Sequence, residues 1–254
     1  ASPTIRYVHI INNSETGIYC QYSNPSISYS IIKNNSGFVA GGIDLNNSDP
    51  ILSNVLISDN TSSNATGGGG IYAIYSDPVL QFVTITNNIH SAGENVGGIY
   101  VHYSNCAITN SIIWNNNDLE LYIDDNSSIN ATYSDIEGGW EGEGNIDADP
   151  LFCNADSSDF TLYDNSPCVG TGQDGANMGA FGIGCEIELC SDPGALNYNQ
   201  YSECNYLSEN IIWTDVGDAG FFPYEITNGG LDIAFVNDKP YIAFHSENKL
   251  YVMS

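Results

Sequence analysis

Apolar residues recur along the first half of the chain in short alternating runs, separated by turns rich in Gly, Asn, Ser, Asp and Pro. Four aligned segments begin at Gly17, Gly42, Gly70 and Gly98, at intervals of 25, 28 and 28 residues. Intervals of this length are typical of solenoid repeats. Within each segment the apolar positions alternate with a period of two, which predicts strands rather than helices.

Aligning the segments places aliphatic side chains in three columns, which we predict to stack inside a coil of successive rungs. The columns are Ile10, Ile32, Ile57, Ile85 and Ile113; Ile5, Ile27, Leu52, Leu80 and Ile108; and Ile18, Ile43, Ile71 and Ile99. A fourth column consists of asparagines: Asn13, Asn35, Asn60, Asn88 and Asn116. We predict that their side-chain amides form a hydrogen-bonded ladder that satisfies buried backbone groups.

This pattern of several columns resembles the right-handed parallel β-helix repeats of secreted bacterial surface proteins over roughly two thirds of the chain. The resemblance implies an all-β fold, with a parallel β-helix over residues 1–186 and a cap at roughly 139–186. The stretch GNIDADPLFCNADSSDFTLYDNSPCVGTG resembles the module that closes many such domains, and this implies that Cys153, Cys168 and Cys185 belong to the cap. We favour a Cys153–Cys168 disulfide, although the spacing alone leaves the connectivity open.

The last part of the chain departs from the repeat. The stretch CSDPGALNYNQYSECNY lies within a predicted linker, residues 187–206, and resembles a cysteine-bracketed module of large secreted proteins of marine Bacteroidetes. That resemblance implies a Cys190–Cys204 disulfide. Residues 207–254 contain the runs LDIAFV, PYIAFHS and KLYVMS and resemble one blade of a β-propeller. A single blade cannot bury both of its faces, so we expect further domains of the same polypeptide.

Composition narrows the class of partner and the compartment. The chain of 254 residues has 4 Lys plus Arg against 31 Asp plus Glu, a formal net charge of −27, which argues against a nucleic-acid partner. No apolar run is long enough to span a membrane. Seven cysteines predict an oxidising compartment and at least two disulfides. We therefore expect a secreted or cell-surface protein.

One set of outward-facing residues suggests a binding surface. Tyr19, Asp44, Tyr72 and Tyr100 share a column, and His102 lies in the next outward column. Tyrosine offers a flat apolar ring with a polar tip, which suits stacking on sugars, so we predict a glycan-contacting face. The alternative is that these rings pack on one another across rungs and protect the sheet.

A second set of residues could bind a cation. Asp147, Asp149 and Asp174 lie in the predicted cap and provide oxygen ligands of the kind that calcium prefers. The alternative is that these aspartates form turns, a role for which the residue is well suited.

The residues of the coil lack the features that a polysaccharide lyase or hydrolase needs for catalysis. A lyase needs positive charge to stabilise an enolate, but Arg6 and Lys33 are the only basic residues in the coil. A hydrolase needs two opposed carboxylates, and no paired-aspartate motif resembles the polygalacturonase signature. We therefore predict a non-catalytic stalk or adhesin that contacts glycans. The alternative is a polysaccharide-degrading hydrolase or lyase of the pectate-lyase-like type.

Overall fold

The chain divides into two compact units, Ala1–Glu186 and Ile187–Ser254. The structure is a computed structural model that describes residues 2–64, 66–92 and 96–186, together with the backbone of three strands within 232–253. The first unit is a parallel β-solenoid, and the second contributes a small antiparallel sheet.

Three parallel sheets run along the solenoid, and three successive rungs in its middle contribute a strand to each of them. Sheet A comprises β1 (Thr4–Arg6), β2 (His9–Ile11), β4 (Ser26–Lys33), β7 (Ile51–Ser58), β10 (Val79–Thr86), β13 (Asn105–Thr109), β14 (Ile112–Trp114), β16 (Ser128–Thr132) and β17 (Asp135–Ile136). Sheet B comprises β3 (Ile18–Gln21), β6 (Ile43–Asn46), β9 (Ile71–Ile74), β12 (Val96–His102) and β15 (Leu119–Ile123). Sheet C comprises β5 (Ser36–Gly37), β8 (Thr61–Ser62) and β11 (Ile89–His90).

The three predicted aliphatic columns are confirmed as the core of the coil. Every predicted neighbour pair is a register partner, from Ile5 on Ile27 to Ile71 on Ile99. The columns also extend further than predicted, to Ile136 and Leu121. Apart from the first rung, the column side chains are buried in one continuous cluster. Each rung therefore buries its apolar face on its neighbours rather than within itself.

The predicted asparagine ladder is also confirmed. In each step the Oδ1 atom of one asparagine accepts from both the backbone N–H and the side-chain amide of the asparagine one rung earlier, at 2.8 to 3.1 Å. The ladder ends on Glu120, whose carboxyl group accepts from the backbone N–H of Asn116 at 2.8 Å and from its side-chain amide. Burial, with a smaller contribution from Glu137, raises the pKa of Glu120 to about 8.

The bends between strands use left-handed backbone at residues other than glycine. At the bend that leads from sheet B to sheet A, Tyr22, Asn47, Tyr75 and Tyr103 have φ between 48° and 51°. The serine that follows each of these residues takes part in a second ladder, in which Ser48 Oγ accepts from Ser23 N at 3.0 Å. Tyrosine rarely adopts positive φ, at a cost of roughly 1–2 kcal/mol per residue. The inter-rung hydrogen bonds offset this cost at every rung.

The segment that we expected to cover the end of the coil has two distinct parts. The first part covers the last rung: the Trp140 indole N–H donates to the Ile129 carbonyl at 3.4 Å, and the Asn145 side-chain amide donates to the Ala131 carbonyl at 2.9 Å. The second part returns along the outside of sheet A, where Ala180 N donates to Thr84 Oγ1 at 2.9 Å. Residues 148–186 are called the return segment below.

The return segment forms a small sheet of its own and a second hydrophobic cluster. Strands β18 (Phe152–Asn154), β19 (Asp159–Tyr163) and β20 (Ile183–Cys185) are joined with β19 in the centre, and 3₁₀ turns occupy Ala155–Ser157 and Gln173–Gly175. The cluster contains Leu162, Cys168 and Met178 from the segment and Ile112 from the coil. The return segment therefore buries residues that would otherwise face outward from sheet A.

The disulfide prediction within this segment was wrong. Cys153 pairs with Cys185, with Cα atoms 6.0 Å apart, and the bond links β18 to β20 across one end of β19. Cys168 is instead a buried free thiol held against the coil, where its Sγ lies 3.0 Å from Asp135 Oδ2. Burial raises the pKa of Asp135 to about 6, and it raises the pKa of the Cys168 thiol well above its ordinary value.

In the C-terminal unit the structure describes three strands, β21 (Asp232–Val236), β22 (Lys239–Ser246) and β23 (Lys249–Met253). They pair antiparallel in chain order as a meander. Its assignment to a β-propeller stays a prediction. The predicted Cys190–Cys204 disulfide lies outside the described residues.

Candidate functional site

The predicted tyrosine column lies on the outer side of sheet B. Tyr19 pairs in register with Asp44, Asp44 with Tyr72, and Tyr72 with Tyr100. The structure adds Tyr122, the register partner of Tyr100 on the next rung. We call this column of five residues the sheet B strip. Four rung intervals at about 4.8 Å make it roughly 19 Å long.

Three rings of the strip pack on one another. The centroids of Tyr72 and Tyr100 lie 5.4 Å apart, and those of Tyr100 and Tyr122 lie 4.7 Å apart, with tilted planes. Tyr72 is only 9 % exposed, and burial, with the neighbouring Tyr100, raises its pKa to about 12. This part of the strip matches the alternative of cross-rung aromatic packing, because tilted neighbouring rings cover part of each other.

The other end of the strip is open. Tyr19 is 56 % exposed, and its register partner on the next rung is Asp44 rather than another aromatic ring. Burial raises the pKa of Asp44 to about 6. Near that pH its carboxyl group exchanges between acceptor-only and donor forms. Tyr19 and Asp44 therefore combine an accessible ring with a hydrogen-bonding group, the pairing that sugar recognition requires.

His102 lies beside the strip, as predicted, in the outward column that also contains Ile74. Its Nδ1 atom is 2.9 Å from Asp124 Oδ2, and its ring meets that of Tyr103 edge-on at 4.4 Å between centroids. A hydrogen bond from the Ser127 hydroxyl, together with smaller contributions that include His102, lowers the pKa of Asp124. The carboxylate therefore orients the imidazole at the edge of the strip.

The sequence reasoning missed the exposed aromatics at the bend next to sheet B. Tyr75 and Tyr103 stack with centroids 5.3 Å apart and planes within 16°. Both are exposed, as is Tyr22 at the same bend of an earlier rung. The signal in the sequence is the repeated Tyr-Ser dipeptide, in which tyrosine takes the left-handed position and serine joins the ladder.

Glycoside hydrolysis requires two carboxylates at a defined separation, so the distances between the outward-facing aspartates test for catalysis. Asp44 and Asp124 lie three rung intervals apart, roughly 14 Å or more, which exceeds the separation that glycosidases use. Asp49 and Asp77 occupy adjacent rungs, roughly 5 Å apart, and both are exposed. Each of the two accepts a backbone N–H from the following rung, from Asp77 N at 2.8 Å and Asn105 N at 2.6 Å. These two aspartates thus serve the turns in which they lie.

The three aspartates predicted as calcium ligands are not brought together. Asp147 accepts from Gly138 N, and Asp149 accepts from Leu151 N at 2.9 Å. Asp174 lies in a separate turn, with left-handed φ of 57°. Among the residues that the structure describes, no group of three or more His, Cys, Asp or Glu side chains is placed to hold a metal. Their geometry is that of turn-forming aspartates.

Comparison with known proteins supports the fold. Residues 1–79 match the family described as "Right handed beta helix region". The match covers less than half of the chain; together with the parallel coil, it supports a right-handed β-helix repeat fold. Neither the curated proteins nor the solved structures contain a significant match to it. No helix in the described part of the chain has the length and apolar character needed to cross a bilayer.

Proposed function

We propose that this chain is an extracellular or cell-surface β-helix module that binds polysaccharide along the sheet B strip without cleaving it. The observation that carries the proposal is the accessible Tyr19 ring beside Asp44, at the open end of an in-register column roughly 19 Å long. A straight column of this kind suits an extended polymer better than a compact ligand. The Cys153–Cys185 disulfide supports an oxidising, extracellular location.

Charge favours a neutral polysaccharide. The strip contains Asp44 and no basic residue, and the chain carries a net charge of −27. A uronic-acid polymer would be repelled unless cations bridged the two surfaces. We therefore expect binding to neutral glycans without added calcium, and binding to pectate or alginate only with it.

The test incubates the full chain with insoluble neutral and uronic-acid polysaccharides, with and without calcium, and measures both depletion from solution and release of reducing ends. Tyr19→Ala should weaken binding by roughly 3- to 10-fold, since one aromatic contact contributes about 0.5–1.5 kcal/mol. Tyr7→Ala is the matched control, because Tyr7 is also a highly exposed tyrosine but lies away from the strip, in the bend between β1 and β2. Absence of depletion, or equal losses in both variants, would contradict the proposal.

The alternative function is polysaccharide hydrolysis, which the spacing of Asp49 and Asp77 favours, since roughly one rung interval matches the carboxylate separation of retaining glycosidases. Release of reducing ends by the wild-type chain that disappears in Asp49→Asn and Asp77→Asn would establish the alternative. Depletion without release would support the binding module.

A further inference from the structure

A groove lies between the outer side of sheet A and the return segment, on a different face of the coil from the sheet B strip. Its volume is about 260 Å³. Three aromatic and three polar side chains define its character: Trp114, Phe152, Tyr163, Asn87, Asn115 and Asp149. The coil contributes Trp114 and the two asparagines, and the return segment contributes the remainder. The groove therefore exists only because the chain folds back on the coil.

The aromatic side chains provide apolar surface from both sides. Trp114 is half-buried at the end of β14, where it and Phe152 pack against the second hydrophobic cluster. Tyr163 ends β19, and its backbone N–H donates to the Leu151 carbonyl at 3.0 Å. These contacts hold the rings in place before any ligand arrives, which lowers the entropy cost of binding.

The polar side chains are similarly held. The Asn115 side-chain amide donates to Asn87 Oδ1 at 2.7 Å, so the two asparagines form a fixed pair at the groove. Asp149 Oδ1 accepts from Leu151 N at 2.9 Å. Leu151, which also lines the groove, has a left-handed φ of 50°.

Size and charge define the ligand. A volume of about 260 Å³ is below the range of drug-sized sites and suits a single sugar ring. The lining contains one carboxylate and no basic residue, so an anionic ligand would be repelled. Rings that offer flat faces, with amides and a carboxylate that can bond hydroxyls, match a pyranose.

We propose that this groove is a second binding site, which takes one neutral pyranose residue with Trp114 as its stacking platform. Contacts limited to one sugar ring imply a dissociation constant on the order of 1 mM. The site is independent of the sheet B strip, since the two share no residue.

The test titrates the full chain with glucose, galactose, mannose, xylose, N-acetylglucosamine and, as the anionic comparison, glucuronate. Saturation-transfer NMR reports binding. Because the chain has three tryptophans, the part of the fluorescence change that Trp114→Phe abolishes reports the environment of Trp114. We expect saturable binding of at least one neutral sugar and weaker binding of glucuronate. Trp114→Ala should reduce affinity about tenfold, and Trp114→Phe, which keeps a ring, should reduce it less.

Two further variants keep the test decisive. Tyr163→Ala should also weaken binding, and it reports on the site if Trp114→Ala fails to fold. Tyr7→Ala, at an exposed tyrosine outside both the groove and the sheet B strip, should leave sugar binding unchanged. The proposal is overturned if no neutral sugar binds saturably, if glucuronate binds as well as the neutral sugars, or if Trp114→Ala and Tyr163→Ala both bind as the wild type does. Because the two sites share no residue, polysaccharide depletion that is lost in Tyr19→Ala would support the proposed function even if the groove binds no sugar.

Discussion

Replacing Asn60 with alanine should destabilise the coil far more than the same change at Asn13, although both belong to one ladder. Asn60 is fully buried and makes four side-chain hydrogen bonds. Its Oδ1 accepts from the backbone and side chain of Asn35, and its amide donates to Ile32 O and Asn88 Oδ1. Asn13 is exposed, and its side-chain amide donates one bond to Asn35.

The expected magnitude follows from these bonds. Each hydrogen bond contributes about 1 kcal/mol net, and a buried backbone N–H left without an acceptor adds about 1–3 kcal/mol. Asn60→Ala removes four bonds and leaves the Asn35 N–H unsatisfied, so we expect a loss of roughly 5 kcal/mol. Asn13→Ala removes one bond near water and should cost about 1 kcal/mol or less.

Guanidinium unfolding followed by far-UV circular dichroism at pH 7 measures both changes. The slope of the transition must be compared between variants, since repeat proteins can lose cooperativity. Asn60→Asp provides an internal check, because it keeps the acceptor for Asn35 but directs a carboxylate at Ile32 O and Asn88 Oδ1. Its stability should therefore fall as pH rises through the raised pKa of the new carboxyl group. If Asn60→Ala costs no more than Asn13→Ala, the ladder does not stabilise the coil as argued.

Three further changes test other parts of the structure. Glu120 has a folded-state pKa of about 8 against an ordinary 4.5, so its contribution is fully present below pH 4.5 and declines as pH rises through 8. The stability difference between wild type and Glu120→Gln should therefore decrease by up to about 1.4 kcal/mol per pH unit across that window, and a difference independent of pH would contradict this. Cys185→Ser opens a 32-residue loop, which should cost about 3–4 kcal/mol and expose the return segment to limited proteolysis; a cleavage pattern like that of the wild type would count against it. Gly98→Ala makes its new Cβ clash with the Glu120 carbonyl oxygen and should lower the melting temperature by several degrees, whereas Gly182→Ala, with its nearest neighbour at 3.8 Å, should not.

The sequence predicted which residues form the sheet B strip, but it did not predict how exposed each ring is to solvent. Register follows from the repeat, so Tyr19, Asp44, Tyr72 and Tyr100 were placed correctly. The tilt of each tyrosine ring, and the fraction of it that remains exposed, depend on which residue occupies the same position on the next rung. Only the structure showed that Tyr72 is nearly covered while Tyr19 is open.

The sequence by itself determined the coil, because each rung repeats the pattern of its neighbours and alignment of the repeats fixes which residues meet. The apolar columns and the asparagine ladder follow from that alignment, although the interval between equivalent residues varies from 22 to 28. Tertiary structure decided the disulfide, the covering of sheet A and the groove. The return segment occurs only once in the chain, so its residues cannot be aligned with a second copy to predict which residues meet. Its contacts join residues as distant in sequence as Thr84 and Ala180. Such contacts depend on packing between unlike surfaces, which no periodic pattern encodes.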